Sequence, residues 1–155
     1  MIINYGTNES QFEKLPMDRY EADTREVIRR IRTALPEVSI MFLAPMDRGA
    51  RGDGGRIVTR PMIPRLVGSQ RRIAAEQACA FFDTFTAMGG EGTVAEWCEA
   101  RPKLMGGDYT HPTAKGAEVV GTLIYDALMK AYENHKGANN YAESNSHIVS
   151  EPGSR

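Results

Sequence analysis

Asp108 and His111 stand three residues apart within Met105-Gly-Gly-Asp-Tyr-Thr-His-Pro-Thr-Ala-Lys-Gly116. A carboxylate at that spacing can hold one imidazole nitrogen, fix the tautomer and steady the imidazolium, leaving the other nitrogen to work as a general base. Gly106 and Gly107 hinge the stretch, and Pro112 suits a first helical turn, where a missing N–H costs nothing. Beyond it Ala117, Val120, Leu123, Ile124, Ala127, Leu128 and Ala131 recur at three and four, which places the imidazole at the entrance of a helix. Taken alone, Asp-x-x-His equally fits a surface histidine beside a capping aspartate.

The opposite end of the chain carries a second group that could do chemistry. Met1-Ile-Ile-Asn-Tyr-Gly-Thr-Asn-Glu9 begins apolar and ends in a glycine and a polar triplet, the pattern of a buried strand opening into a loop at its carboxyl end. Open parallel sheets bind their ligands at that end. There the side-chain amide of Asn8 is a donor that can be aimed at a developing oxyanion, although an asparagine in such a place also serves simply to make a turn.

Gly6-Thr-Asn-Glu9 resembles the Gly-x-Asn-Asp block of the SGNH (GDSL-type) ester hydrolases, and Asp108-Tyr-Thr-His111-Pro112 resembles their final Asp-x-x-His block, in the same order along the chain. The resemblance implies a flavodoxin-like three-layer α/β/α sandwich with a parallel sheet. It further implies Asn8 in the oxyanion hole, His111 as base and Asp108 as its orienting acid, with no metal or cofactor. The implied substrates are small acyl esters or O-acetyl groups on carbohydrate. Two features depart from the family pattern. Glu9 stands where an aspartate is usual, and no serine lies in a Gly-Asp-Ser block. Ser10 follows the asparagine block, Ser39 falls in an apparent strand, Ser69 in a helix, and Ser144, Ser146, Ser150 and Ser154 in a polar run. These residues are therefore expected to be the C-terminal part of a longer hydrolase, or of a gene model begun at an internal Met, that lacks its nucleophile.

Positioning these groups requires alternating strands and helices. The pattern predicts a strand over residues 1–5 and a helix over 19–35 with Tyr20, Val27, Ile28, Ile31 and Leu35 inward. A second strand is expected over 38–44, stopped by Pro45, then a helix over 62–76, a strand over 79–83 and a short helix over 93–100. Asp83 ends the third strand and resembles an acid found after the fifth strand in the family, while solvation or capping is its simpler reading. Residues 46–60, with four glycines among Asp and Arg residues, read as a long loop that could overhang the site. Asp47, Arg48, Arg51 and Arg60 are its polar candidates for substrate binding, with Gly6 and Thr7 on the first loop, and Arg60 could face a substrate carboxylate. The final helix is expected to stop near Glu133, giving a domain over 1–136 and a disordered polar tail over 137–155.

The totals narrow the classes further. A chain of 155 residues, 41% apolar and 25% charged, is sized for one domain with its own core. A net charge of −1 with dispersed basic residues argues against nucleic acid or an anionic membrane as partner. No apolar run reaches transmembrane length, and the compartment is left open, with export possible if a signal sequence precedes these residues. Cys79 and Cys98 lack any metal-ligand spacing and read as free thiols. An unpaired first strand would invite self-association. Two other readings compete: a catalytically inactive carbohydrate-binding module, and a flavodoxin-like domain without hydrolase ancestry in which Asn8 and His111 do not converge.

Overall fold

A computed structural model describes residues 1–148, with side chains to 137. Three short strands, β1 (Ile2–Asn4), β2 (Met41–Leu43) and β5 (Ala80–Phe82), form a parallel sheet in the order β1-β2-β5, with Ile3 beside Phe42 and Phe42 beside Phe81. Strand side chains alternate between faces, so these three share one side of the sheet. On that side pack α1 (Met17–Ala34) and α2 (Met62–Glu76), which bury Ile28, Ile73 and Ala74 against Ile3, Ile40 and Phe42. Met41, Ala80 and Phe82 face the other way, toward Ile124, Ala127, Leu128 and Ala131 of α5 (Ala114–Ile148). The fold is the three-layer α/β/α arrangement expected from the sequence. The middle strand β2 reads as an apolar run because both its faces are covered, whereas Ile2 and Asn4 of β1 are exposed.

Three elements differ from the expectation. Residues 46–60 are not one open loop: β3 (Gly49–Arg51) and β4 (Ile57–Thr59) pair antiparallel across a tip in which Gly54 and Gly55 take φ of 69° and 75°. α5 reaches Ile148, well past Glu133, so 137–148 of the expected tail is helical, and residues 149–155 lie outside the described part. The apolar stripe of α5 stops near Ala131 while its backbone continues, because Glu, Lys and Ala are good helix formers whether or not they face a core. Pro112 lies two residues before α5, and the helix is capped instead by Thr113, whose hydroxyl accepts the Gly116 N–H at 3.2 Å and donates to the Lys103 carbonyl at 2.7 Å.

The outer edge of β1 pairs with no strand among the described residues, and Ile2 and Tyr5 stay about 60% exposed there. Beside it, between β1 and α1, runs an apolar groove of about 550 Å³ lined by Ile3, Phe42, Tyr20, Leu15 and Val27. Among the described residues no helix is long and apolar enough to cross a membrane.

Candidate active site

At the carboxyl end of the sheet, two loops and the hairpin come together. The loop before α5 is tightly bound: the Gly106 N–H donates to the His111 carbonyl at 2.8 Å, and the Thr113 N–H donates to the Leu104 carbonyl at 2.9 Å. Gly116 makes this closure possible, since a Cβ there would lie 1.9 Å from the Leu104 carbonyl oxygen. Tyr109 holds a φ of 58°, uncommon for a residue with a side chain, and its carbonyl accepts the Gly49 N–H at 2.8 Å. The turn so formed aims Asp108 back at His111. Oδ2 of Asp108 lies 2.6 Å from Nδ1 of His111, and Oδ1 accepts the backbone N–H groups of Thr110 and His111 at 3.0 Å each. The His111 contact, followed by these two N–H groups, holds the Asp108 carboxyl well below the usual carboxylate range. The carboxylate therefore stays ionised and fixes the ring by the nitrogen nearest it. The imidazole is 80% exposed, so Nε2 remains open to a reacting group.

The first loop is built around Gly6, whose φ of 115° and close neighbours, Pro45 and the Gln70 amide nitrogen at 3.1 Å from a virtual Cβ, exclude a side chain. Glu9 closes this turn by accepting the Gly6 N–H at 3.0 Å, so the longer acid does local work at the position where aspartate was expected. Asn8 sits exposed ahead of a single 3-10 turn (Glu9–Gln11), and its amide makes no capping bond. Gln70, fully buried, steadies the approach by donating to the Tyr5 carbonyl and the Tyr20 hydroxyl at 2.8 Å. The sequence reading missed Gln70, although it lies on the inward stripe of α2 with Leu66, Val67, Ile73 and Ala74.

Arg48 joins the two loops. Its Nη1 donates to the Thr7 carbonyl at 2.5 Å and the Ser10 hydroxyl at 3.3 Å, while Nε donates to the Thr110 hydroxyl at 3.1 Å. One guanidinium thus spans from the Asn8 turn to the Asp108–His111 turn, and its planar fork suits that span as a lysine would not. Arg51 lies over the Tyr109 ring, 5.7 Å from its centroid. Arg60 is half-buried, and its side chain makes no hydrogen bond or ion pair among the described residues. Thr7 contributes its carbonyl to the joint.

Asp47 must be withdrawn from the substrate-binding candidates. It is fully buried, and its Oδ2 accepts the Thr59 hydroxyl at 3.0 Å and the Val94 N–H at 2.9 Å, pinning the hairpin to α4 (Thr93–Glu99). Burial pushes its carboxyl up against the pull of those bonds. Asp83 takes the capping role: it accepts the Thr86 N–H at 2.9 Å at the start of α3 (Thr84–Ala87) and pairs with Arg71. The apolar groove beside β1 does not contain the Asp108–His111 pair. The Ser10 hydroxyl is buried and donates to the Thr7 carbonyl at 2.6 Å, and Ser69 donates to Glu21, so neither is presented to His111. Cys79 and Cys98 are free thiols, and no cluster of three potential metal ligands occurs among the described residues.

Residues 1–119 match the GDSL-like lipase/acylhydrolase family. The chain belongs to that family. A flavodoxin-like domain without hydrolase ancestry is thereby set aside. Among solved structures, a peptidoglycan O-acetylesterase aligns with a TM-score of 0.78 at 23% identity, over 86% of this chain and 37% of that one. An acetyl-xylooligosaccharide esterase from Geobacillus aligns at 0.56 and 22%, over 79% of this chain and 56% of that one. The esterase domain of the ORF1 protein of a zebrafish retrotransposon aligns at 0.55 and 22%, over 81% and 65%. This family member therefore spans about a third to two thirds of the length of these structures. No curated protein matches.

Proposed function

We propose that this chain supplies the base, its orienting acid and an oxyanion donor to a serine ester hydrolase acting on small acyl esters or carbohydrate O-acetyl groups. The observation that carries the reading is the 2.6 Å contact of Asp108 with His111, joined through Arg48 to the turn that presents Asn8. In this mechanism a serine hydroxyl from outside the described residues attacks the ester carbonyl. His111 Nε2 takes the hydroxyl proton and returns it to the departing alcohol, so that an acyl-serine and a free alcohol result. Water, deprotonated by the same nitrogen, then releases the acid. Asp108 steadies the imidazolium at both steps, and the Asn8 amide donates to the oxyanion of each tetrahedral intermediate. Two of the structural neighbours, a peptidoglycan O-acetylesterase and an acetyl-xylooligosaccharide esterase, support the choice of acetyl groups.

Fluorophosphonate labelling of the complete gene product tests this reading. Covalent labelling of one serine that is lost in His111→Ala supports it. Saccharide binding without any labelling would favour the inactive carbohydrate-binding module, a reading kept alive by the absence of a serine hydroxyl beside His111 among the described residues.

A further inference from the structure

Arg48 and Arg60 occupy facing positions at the base of the hairpin, where the Arg60 N–H donates to the Arg48 carbonyl at 2.8 Å. Neither forms an ion pair among the described residues, whereas Arg25, Arg29 and Arg30 on α1 all pair with Glu21, Glu26 or Glu76. The nearby acids make no ion pair with either arginine among the described residues. Asp47 turns Oδ2 inward to Thr59 and Val94 and keeps Oδ1 buried without a partner, Glu9 is closed on the Gly6 N–H, and Asp108 is engaged with His111 and two backbone N–H groups. The Arg48 guanidinium is pulled down first by burial and then by the charge of Arg60, with Asp108 opposing both. Arg60 also keeps its Nε buried without an acceptor, an arrangement that is costly unless an acceptor arrives.

We propose that Arg48 and Arg60 form an anion subsite beside the Asp108–His111 pair, and that the ester processed there carries a carboxylate. Two guanidiniums side by side without an ion-pair partner among the described residues favour an anion between them, and the planar edge of a guanidinium matches the two oxygens of a carboxylate. Arg48 spends Nε and Nη1 on the loops and keeps Nη2, while the Arg60 guanidinium has none of its donors committed to an acceptor among the described residues and holds its Nε buried. The subsite rests on the esterase reading for its role, but binding at it requires no turnover.

The test uses the 155-residue chain labelled with 15N, following the arginine Nε–H resonances during titration with glucuronate, with its uncharged methyl ester and with inorganic phosphate. Glucuronate is expected to shift the Arg60 signal saturably, and the methyl ester to leave it in place. Arg60→Gln should weaken glucuronate binding roughly tenfold, the size of one charge-assisted hydrogen bond, while Arg56→Gln on the exposed hairpin tip should not change it. Equal responses to acid and methyl ester, or unchanged binding in Arg60→Gln, would overturn the subsite. Tighter binding of phosphate would overturn the carboxylate assignment. Absent binding alongside retained ester turnover by the complete gene product removes the subsite alone, and intact binding alongside absent turnover removes the hydrolase reading alone.

Discussion

Replacing Gly116 by Ala sets two effects of opposite sign against each other. On helix propensity alone the change should stabilise α5 by about 1 kcal/mol, since alanine is the better helix former. Geometry says otherwise. The added Cβ would meet the Leu104 carbonyl oxygen at 1.9 Å, its carbon at 2.9 Å and Pro112 Cβ at 3.1 Å, and the first two are backbone atoms that no rotamer change can move aside. Relief requires the helix start to retreat by roughly an ångström, which costs about 1–3 kcal/mol in overpacking. The retreat also strains the Thr113 N–H bond to the same carbonyl and the Thr113 hydroxyl cap, for about 1–2 kcal/mol more. Sterics therefore win, and Gly116→Ala is expected to lose about 1–4 kcal/mol net. Gly121→Ala provides the matched control in the same helix, because nothing lies within 4 Å of its virtual Cβ, and it should gain up to about 1 kcal/mol. Urea unfolding followed by far-ultraviolet circular dichroism reads both. A Gly116→Ala protein as stable as Gly121→Ala would show that the acid–base loop does not depend on this close approach.

Arg48→Met should cost roughly 2–4 kcal/mol of stability from its three lost hydrogen bonds and should speed proteolytic nicking of both loops, and Arg48→Lys should restore little of either; full recovery by lysine would refute the fork-shaped joint. Because the Asp108 carboxyl is held below its usual value, its ionised form stabilises the fold, fully above the unfolded value of about 4 and progressively less as pH falls through the folded one. The stability advantage over Asp108→Asn should accordingly be open at neutral pH and close in acid, and a gap that stays constant in a pH series of denaturation curves contradicts the ion-pair account. Asn8→Ala should leave stability within about 0.5 kcal/mol, since the amide caps nothing, yet raise the barrier to ester hydrolysis by about 3 kcal/mol; a structural loss without a rate effect would reverse that assignment.

What could be read from the sequence followed from periodicity and local turn chemistry. α2 was legible because Pro64 suits its first turn and Leu66, Val67, Ile73 and Ala74 recur on one inward side, with Gln70 the polar member of that side. The Asp108–His111 contact was legible because both partners lie within one turn. The hairpin was not, since β3 and β4 have three residues each, too few to display alternation, and their chain reversal is set by glycines that also read as loop. Asp47 was misplaced because an acid in a glycine-rich stretch reads as solvated, while its partners Thr59 and Val94 lie 12 and 47 residues away. The same distance hid the work of Arg48: it was a candidate for its charge, but its bonds reach back 41 residues to Thr7 and forward 62 to Thr110. The end of α5 was hidden because the helix outlasts its apolar stripe.

The central claim is that His111, steadied by Asp108, moves the proton in ester cleavage. Steady-state hydrolysis of an aryl acetate by the complete gene product, compared with its His111→Ala variant, tests it most directly. The account predicts a fall of roughly 10²–10⁴-fold in kcat with an unchanged fold. Turnover that survives the substitution within a factor of about two, far inside the range expected for a general base, would contradict it.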